Sequence, residues 1–202
     1  MAYPDVVAAY GLKPVKRLDG MPYAGAVRHM PIASGYATGI GFGEPVKRLA
    51  DGTIATAAAG DKAIGVFVGC QYTDPTSKQM TFNQQWPAGT ASPDAKALVV
   101  DDPNAIFKTV VLTDVSGTVG GVLPKAVGGN ASMFDLGAPN TATGNSTAGL
   151  KASTVATGAS LAMRIVDGVE ETAYVDGGNK KYREVLVMFN LHQYREVTGV
   201  YA

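Results

Sequence analysis

The sequence predicts a mainly β protein: two small β-barrel or β-sandwich-like units behind an extended N-terminal arm, with long loops rich in Gly, Asn, Ser and Thr. Three observations carry this. Apolar runs are short and bounded by Gly, Asp-Gly or Asn-containing turns. No window sustains an apolar period of 3.6 residues, which disfavours a helical core. Gly, Ala, Thr and Val are abundant while charged residues are sparse, at 17% of the 202-residue chain, as expected of short strands and tight turns. At roughly 100–150 residues per domain, the chain divides into an arm over residues 1–20, a first β unit over 21–96 and a second over 97–202.

Each element follows in order. "MAYPDVVAAY" can form one helical turn, but it is too short to stand alone ahead of Gly11 and Pro14. Tyr3, Val6, Val7, Tyr10 and Leu12 are too apolar to leave wet and too few to make a core, so the arm is expected to dock on a neighbouring subunit. "KPVKRLDG" (13–20) and "EPVKRLADG" (44–52) nearly repeat one phrase, yet their flanks diverge, which excludes a repeat array. Both read as β elements of the first unit, with Pro14 and Pro45 opening extended chain and Asp19-Gly20 and Asp51-Gly52 as turns. Lys16/Arg17 and Lys47/Arg48 are neighbours in extended chain, so only one of each pair can face inward, where it needs a barrel mouth or a carboxylate from a neighbouring subunit. Strands are expected at about 36–42, 44–49 and 53–58, then along Ile64–Cys70, where Val66 and Val68 share one face and Phe67 takes the other.

Residues 73–97, with Met80, Phe82 and Trp86, read as a hairpin followed by a loop. "ALVVDDPNAIFKTVVL" (97–112) gives two strands flanking Asp102-Pro103. The stretch 115–160 is largely irregular. "SLAMRIVD" (160–167) and "REVLVMFNLHQY" (183–194) are strand-like and are joined by the turn-rich "GVEETAYVDGGNKKY".

Seventeen Lys+Arg balance seventeen Asp+Glu, so no net field draws the chain to nucleic acid or an anionic membrane. The low charge points to a surface partly covered by assembly. Cys70 stands alone, which excludes an internal disulfide. The N-terminus lacks the basic and apolar regions of a secretory leader, and no run reaches the roughly 18 apolar residues that span a bilayer. "NAS" (130–132) and "NST" (145–147) match glycosylation acceptors but read as polar turns.

Candidate chemistry is thin. "GIGFG" (39–43) offers glycines for close phosphate approach, but the spacing is not that of a dinucleotide fingerprint and no helix follows. His29 and His192 lie in different units without a carboxylate at metal-ligand spacing, so zinc or general-base chemistry is not expected. His29 beside Arg28 reads as a surface or subunit contact, and Cys70 as a core residue. Asp101-Asp102 could bind calcium or work as an acid/base pair, but neighbours in extended chain point apart, and Asp before Pro is turn chemistry. Trp86 with Tyr72 and the Asp101/Asp102 region could form a sugar-stacking platform, although a lone tryptophan is more often a core or interface anchor. No catalytic residue, cofactor or metal is expected.

Several phrases together carry a family resemblance: "AYGLKPVKRLDGMPYAGAVRHMPIASGYATGIGFGEPVKRLADGTI", "IGVFVGCQYTDPTSKQMTFNQQWPAGT", "LVVDDPNAIFK", "LAMRIVD" and "VLVMFNLHQY". They resemble virion structural proteins of tailed bacteriophages, of the capsid cement or decoration type. The resemblance runs along most of the chain and is weakest at about 115–155. It implies a non-enzymatic protein, made in the host bacterial cytoplasm, that binds the capsid exterior and cements neighbouring major capsid protein subunits, as a homo-trimer at local three-fold positions. The interface expected on this reading involves Tyr3, Val6, Val7, Tyr10, Leu12, Arg28, His29, Lys47, Arg48 and Trp86. The alternatives are a glycan-binding virion protein and a neck or tail component.

Overall fold

A computed structural model describes residues 8–113, 118–134 and 137–196. The fold is mainly β, with two distinct main sheets and short 3₁₀ turns. In chain order the strands are β1 (Lys13–Arg17), β2 (Arg28–Pro31), β3 (Glu44–Arg48), β4 (Ile54–Thr56), β5 (Gly65–Thr73), β6 (Met80–Asn83), β7 (Lys96–Val100), β8 (Ala105–Leu112), β9 (Asn130–Ala131), β10 (Met133–Phe134), β11 (Gly149–Lys151), β12 (Met163–Gly168), β13 (Ala173–Asp176), β14 (Asn179–Tyr182) and β15 (Glu184–Phe189). One sheet has the order β2-β7-β5-β3-β4, with β6 also on β5. The other runs β10-β11-β8-β15-β12-β9, with β1 also on β8, and β13 and β14 form a separate two-stranded ribbon.

β5 is the wall shared by two cores. Val66 belongs to the core that both sheets build, with Val100, Phe107, Val111, Ile165, Val185, Val187 and Phe189. Phe67, Cys70 and Tyr72 point the other way, into a core made with Ile40, Ile54, Trp86 and Val99. The alternation expected for Val66 and Phe67 is therefore present, and it follows from the pleat. Both faces of the strand are buried, which is why its sequence reads as a continuous apolar run instead of an in/out alternation. A single parallel bridge joins Ile32, just past β2, to Ile54 of β4, bringing together two edges of the first sheet.

The sheets divide the chain differently from the boundaries read in sequence. The expected 96/97 boundary cuts β7, which stays with the first sheet through its pairing with β2 and β5. β1 pairs with β8 and so joins the second sheet, not the first. Residues 1–7 of the arm lie outside the described residues, but Leu12 is buried in the shared core.

The repeated phrase explains part of this. Both copies end in the same turn: Asp19 and Asp51 accept backbone N–H bonds two residues on, from Met21 and Thr53. Gly20 and Gly52 share the same left-handed φ of 86°, which favours glycine. Ala50 makes the second copy one residue longer, so the turn closes on Arg17 in one copy and on Leu49 in the other. A one-residue offset exchanges the faces of a strand. With that offset, and with a break in the β1–β8 register between Pro14 and Lys16, Val15 is 43% exposed while Val46 is fully buried.

Only β3 and β4 form as expected over 44–58. Residues 36–42 make isolated bridges at Ile40 and Phe42 instead of a strand. The glycines there admit a close backbone approach: Leu12 N–H donates to Gly43 O at 2.9 Å, and Phe42 N–H donates to Gly144 O at 2.8 Å. A Cβ on Gly41 would sit 2.6 Å from the backbone nitrogen of Ser146. "GIGFG" thus joins the two sheets and cradles protein backbone. The buried Glu44 carboxylate accepts the Ser146 hydroxyl across the same seam. Asn130, expected in a polar turn, is buried in β9, where its amide donates to Gly158 O and accepts from Arg164. The turn-rich "GVEETAYVDGGNKKY" contains the β13–β14 hairpin, closed through Gly177 and Gly178.

Candidate interaction surface

The chain crosses from the first sheet to the second at Asp101–Asn104, between β7 and β8. Asp102 shapes this corner, its Oδ1 accepting the Asn104 N–H at 2.9 Å and its carbonyl accepting the Ala105 N–H at 3.0 Å. This is the turn chemistry expected of Asp before Pro. Three distant pieces of chain close on it. Arg17 from β1 meets Asp102 Oδ2 at 3.0 Å. Arg28 from β2 donates to Asp101 Oδ2 at 2.5 Å, and the Tyr194 hydroxyl donates to the same oxygen at 2.8 Å. Arg195 donates to Pro103 O and Asn104 Oδ1.

The two carboxylates therefore serve different arginines. Among the described residues no group of three or more His, Cys, Asp or Glu is placed to hold a metal ion. Partial burial, then the bond to Asp101, holds the Tyr194 hydroxyl above its ordinary pKa. Leu18, Met21, Val27 and Tyr194 are exposed around the corner. Apolar side chains rimmed by guanidinium groups match the anatomy of a protein contact surface.

The residues after β15 tie this corner to the first sheet. The Gln193 N–H donates to Ala63 O, and its side chain both accepts the Arg48 N–H and donates to Arg48 O. His192 beside it is 1% exposed, its Nδ1 accepting the Tyr194 N–H at 3.1 Å. Burial first, and the nearby Arg195 charge second, pull its pKa down to about 4. The imidazole is neutral at neutral pH and sealed from solvent.

The expected interface residues scatter. Arg28, His29 and Arg48 are exposed, with Arg28 and Arg48 near Tyr194 at this corner. Lys47 is held at 2.7 Å by Asp61 of its own chain, so its carboxylate partner comes from within the subunit. Leu12 and Trp86 are buried and offer no surface. The Tyr10 hydroxyl donates to Glu184, and the Lys13 ammonium lies 4.4 Å from its ring centroid, so this side chain is engaged within the chain. Tyr3, Val6 and Val7 lie outside the described residues.

The sugar platform is also removed from the surface. Trp86 and Tyr72 pack edge to face at 5.4 Å inside the core, and Trp86 Nε1 donates to Tyr36 O. Cys70 is buried, as expected, and desolvation pushes its thiol up to about 12. Sequence reasoning read Arg17 as half of a surface basic pair whose inward member would need a neighbouring subunit's carboxylate, whereas Asp102 of its own chain supplies one; it missed Tyr194 and Arg195, because their partners lie about ninety positions away and no local pattern announces them. An open hollow of about 440 Å³ beside Val122, Leu123, Lys125, Ala126 and Val155 also includes Lys181, but that lysine is paired with Asp176. No helix among the described residues is long and apolar enough to cross a membrane. Comparison with protein-family models, with curated proteins and with solved structures gave no match for this chain.

Proposed function

We propose that this chain is a non-enzymatic structural protein of a tailed-bacteriophage virion. It binds the outside of the capsid shell and cements neighbouring major capsid protein subunits, as three copies around a local three-fold, with its two β units acting as one block. It needs no cofactor and contacts neither nucleic acid nor membrane. The family resemblance of the sequence motivates the reading, and one structural observation supports it best. Large apolar side chains stay exposed in separate regions, at Leu18, Met21 and Val27, at Val127, and at Val175. The sheets between them are locked by backbone bonds. A rigid body with apolar contacts in several places suits bridging, since each contact contributes by area, at about 25 cal/mol per Å², and repetition over a shell multiplies it. The balanced charge suits an exterior position, where no phosphate has to be neutralised.

Cosedimentation with expanded and unexpanded capsids tests the reading, together with copy number per particle. Binding to expanded shells at a copy number comparable to that of the major capsid protein is expected. A few copies per particle would move the protein to the neck or tail, and no binding to shells would overturn the proposal.

A further inference from the structure

The outer edge of β6 is the least protected strand edge of the first sheet. β2, at one side, carries Arg28, His29 and Pro31, which are edge-blunting residues. β4, at the other, is bridged through Ile54 to Ile32. β6 has neither device. Its sequence, Met80-Thr81-Phe82-Asn83, is uncharged and free of proline, and it pairs only with β5. No backbone bond joins Met80–Asn83 to any other described segment. Met80 and Phe82 share one face and are 60% and 70% exposed, and Phe82 is among the most exposed large apolar side chains described.

We propose that β6 pairs edge to edge with β6 of a second copy, antiparallel about a two-fold axis perpendicular to the sheet, so that two six-stranded sheets become one. Two arguments select a second copy over a foreign strand. An isologous contact sets each side chain against residues of the same patch, so a charged strand would repel itself; this strand has no charge to repel. A two-fold perpendicular to the sheet also keeps both copies of Met80 and Phe82 on the same face, where the four side chains gather into one apolar cluster and the open ladder groups find partners. The pairing does not depend on the capsid reading. On a shell it would link one three-fold cluster to the next.

The test is sedimentation equilibrium of the full chain over a wide concentration range, with the variants Phe82→Lys and Phe82→Glu. Position 82 is exposed, so both variants fold, which unchanged Trp86 emission checks. The wild type should show a concentration-dependent doubling of mass if the free chain is otherwise a monomer, and a rise to twice its mass or more if it is a trimer, which carries three such edges. Each variant alone should lose the doubling, and an equimolar mixture of the two should regain it, because opposite charges then meet across the axis. A wild-type mass that never doubles, or variants that double as the wild type does, would overturn the proposal. Capsid binding by the Phe82→Lys variant is measured separately: its retention leaves the cement reading standing whichever way the mass experiment falls.

Discussion

Acidification acts on one buried group before the rest. His192 is neutral in the fold with a pKa of about 4, against 6.5 as its ordinary value. The unfolded chain therefore takes up a proton that the folded chain refuses at any pH between these values. Stability contributed by the neutral imidazole is complete above pH 6.5 and is lost as pH falls towards 4. One pKa unit corresponds to about 1.4 kcal/mol, so the full loss is about 3 kcal/mol, most of it reached by pH 4.5. Carboxylates with lowered pKa values, such as Asp94 at about 2, lose their contribution mainly below that window. The other histidine, His29, is exposed. Urea unfolding followed through Trp86, the only tryptophan, should show this fall between pH 7 and pH 4.5. His192→Asn keeps an acceptor for the Tyr194 N–H and removes the titrating ring, so its stability should be lower at pH 7 but nearly flat over the same window. Equal pH slopes in the wild type and the variant would refute the assignment.

Three further outcomes are expected. Gly65→Ala places a Cβ 2.2 Å from Val100 O, in a wall buried on both sides, and should cost at least about 1–3 kcal/mol by overpacking; an unchanged urea midpoint would count against the close approach. Cys70, with its thiol pushed up to about 12, should react with a thiol reagent only as fast as the protein unfolds, and prompt modification of the native chain would show that the core is open. Reversing charge at Lys47 and Arg48 should cost little stability, since the Lys47–Asp61 pair is partly exposed and such pairs contribute about 0–1 kcal/mol; on the cement reading, capsid binding should weaken more at low salt than at high salt, and equal binding at low salt would remove these residues from the interface.

What was legible in the sequence was local. The two Asp-Gly turns, the opposed faces of Val66 and Phe67, and the strands on either side of Asp102-Pro103 each depend on a few adjacent residues, and each is present. What was not legible depends on partners far along the chain. "PVKRL" reads the same at 14–18 and 45–49, yet β1 joins β8 in one sheet and β3 joins β5 in the other, because one inserted alanine and distant neighbours decide register and sheet. The glycines at 39–43 looked like strand punctuation but mark where two backbones touch. β13 and β14 were hidden because Ala-Tyr-Val-Asp and Asn-Lys-Lys-Tyr, with half their residues exposed, show no apolar alternation. At the candidate surface, Arg28 was legible as a polar exposed residue, whereas Asp101, Tyr194 and Arg195 became one cluster only through folding. Trp86 shows the converse: a side chain that can anchor a core or an interface is not assigned by type alone.

The seam between the sheets also sets a timetable for synthesis. Phe42 needs Gly144 and Ser146, Glu44 needs Ser146, Gly11 needs Ala148, and Arg48 needs Gln193. At about 5–20 residues per second, the first of these partners leaves the ribosome some 5–20 s after the segment that awaits it. Until then the nascent first sheet holds Val66 and Val100 towards a neighbour that has not been made. A fragment ending near residue 100 should therefore be sticky and short-lived in the cell, dependent on chaperones that shield apolar chain. Contacts so distant in sequence also make closure slow. Because every one of these bonds must break before either sheet comes free, opening of the finished protein should be slower still, giving it a long lifetime between unfolding events even at modest equilibrium stability.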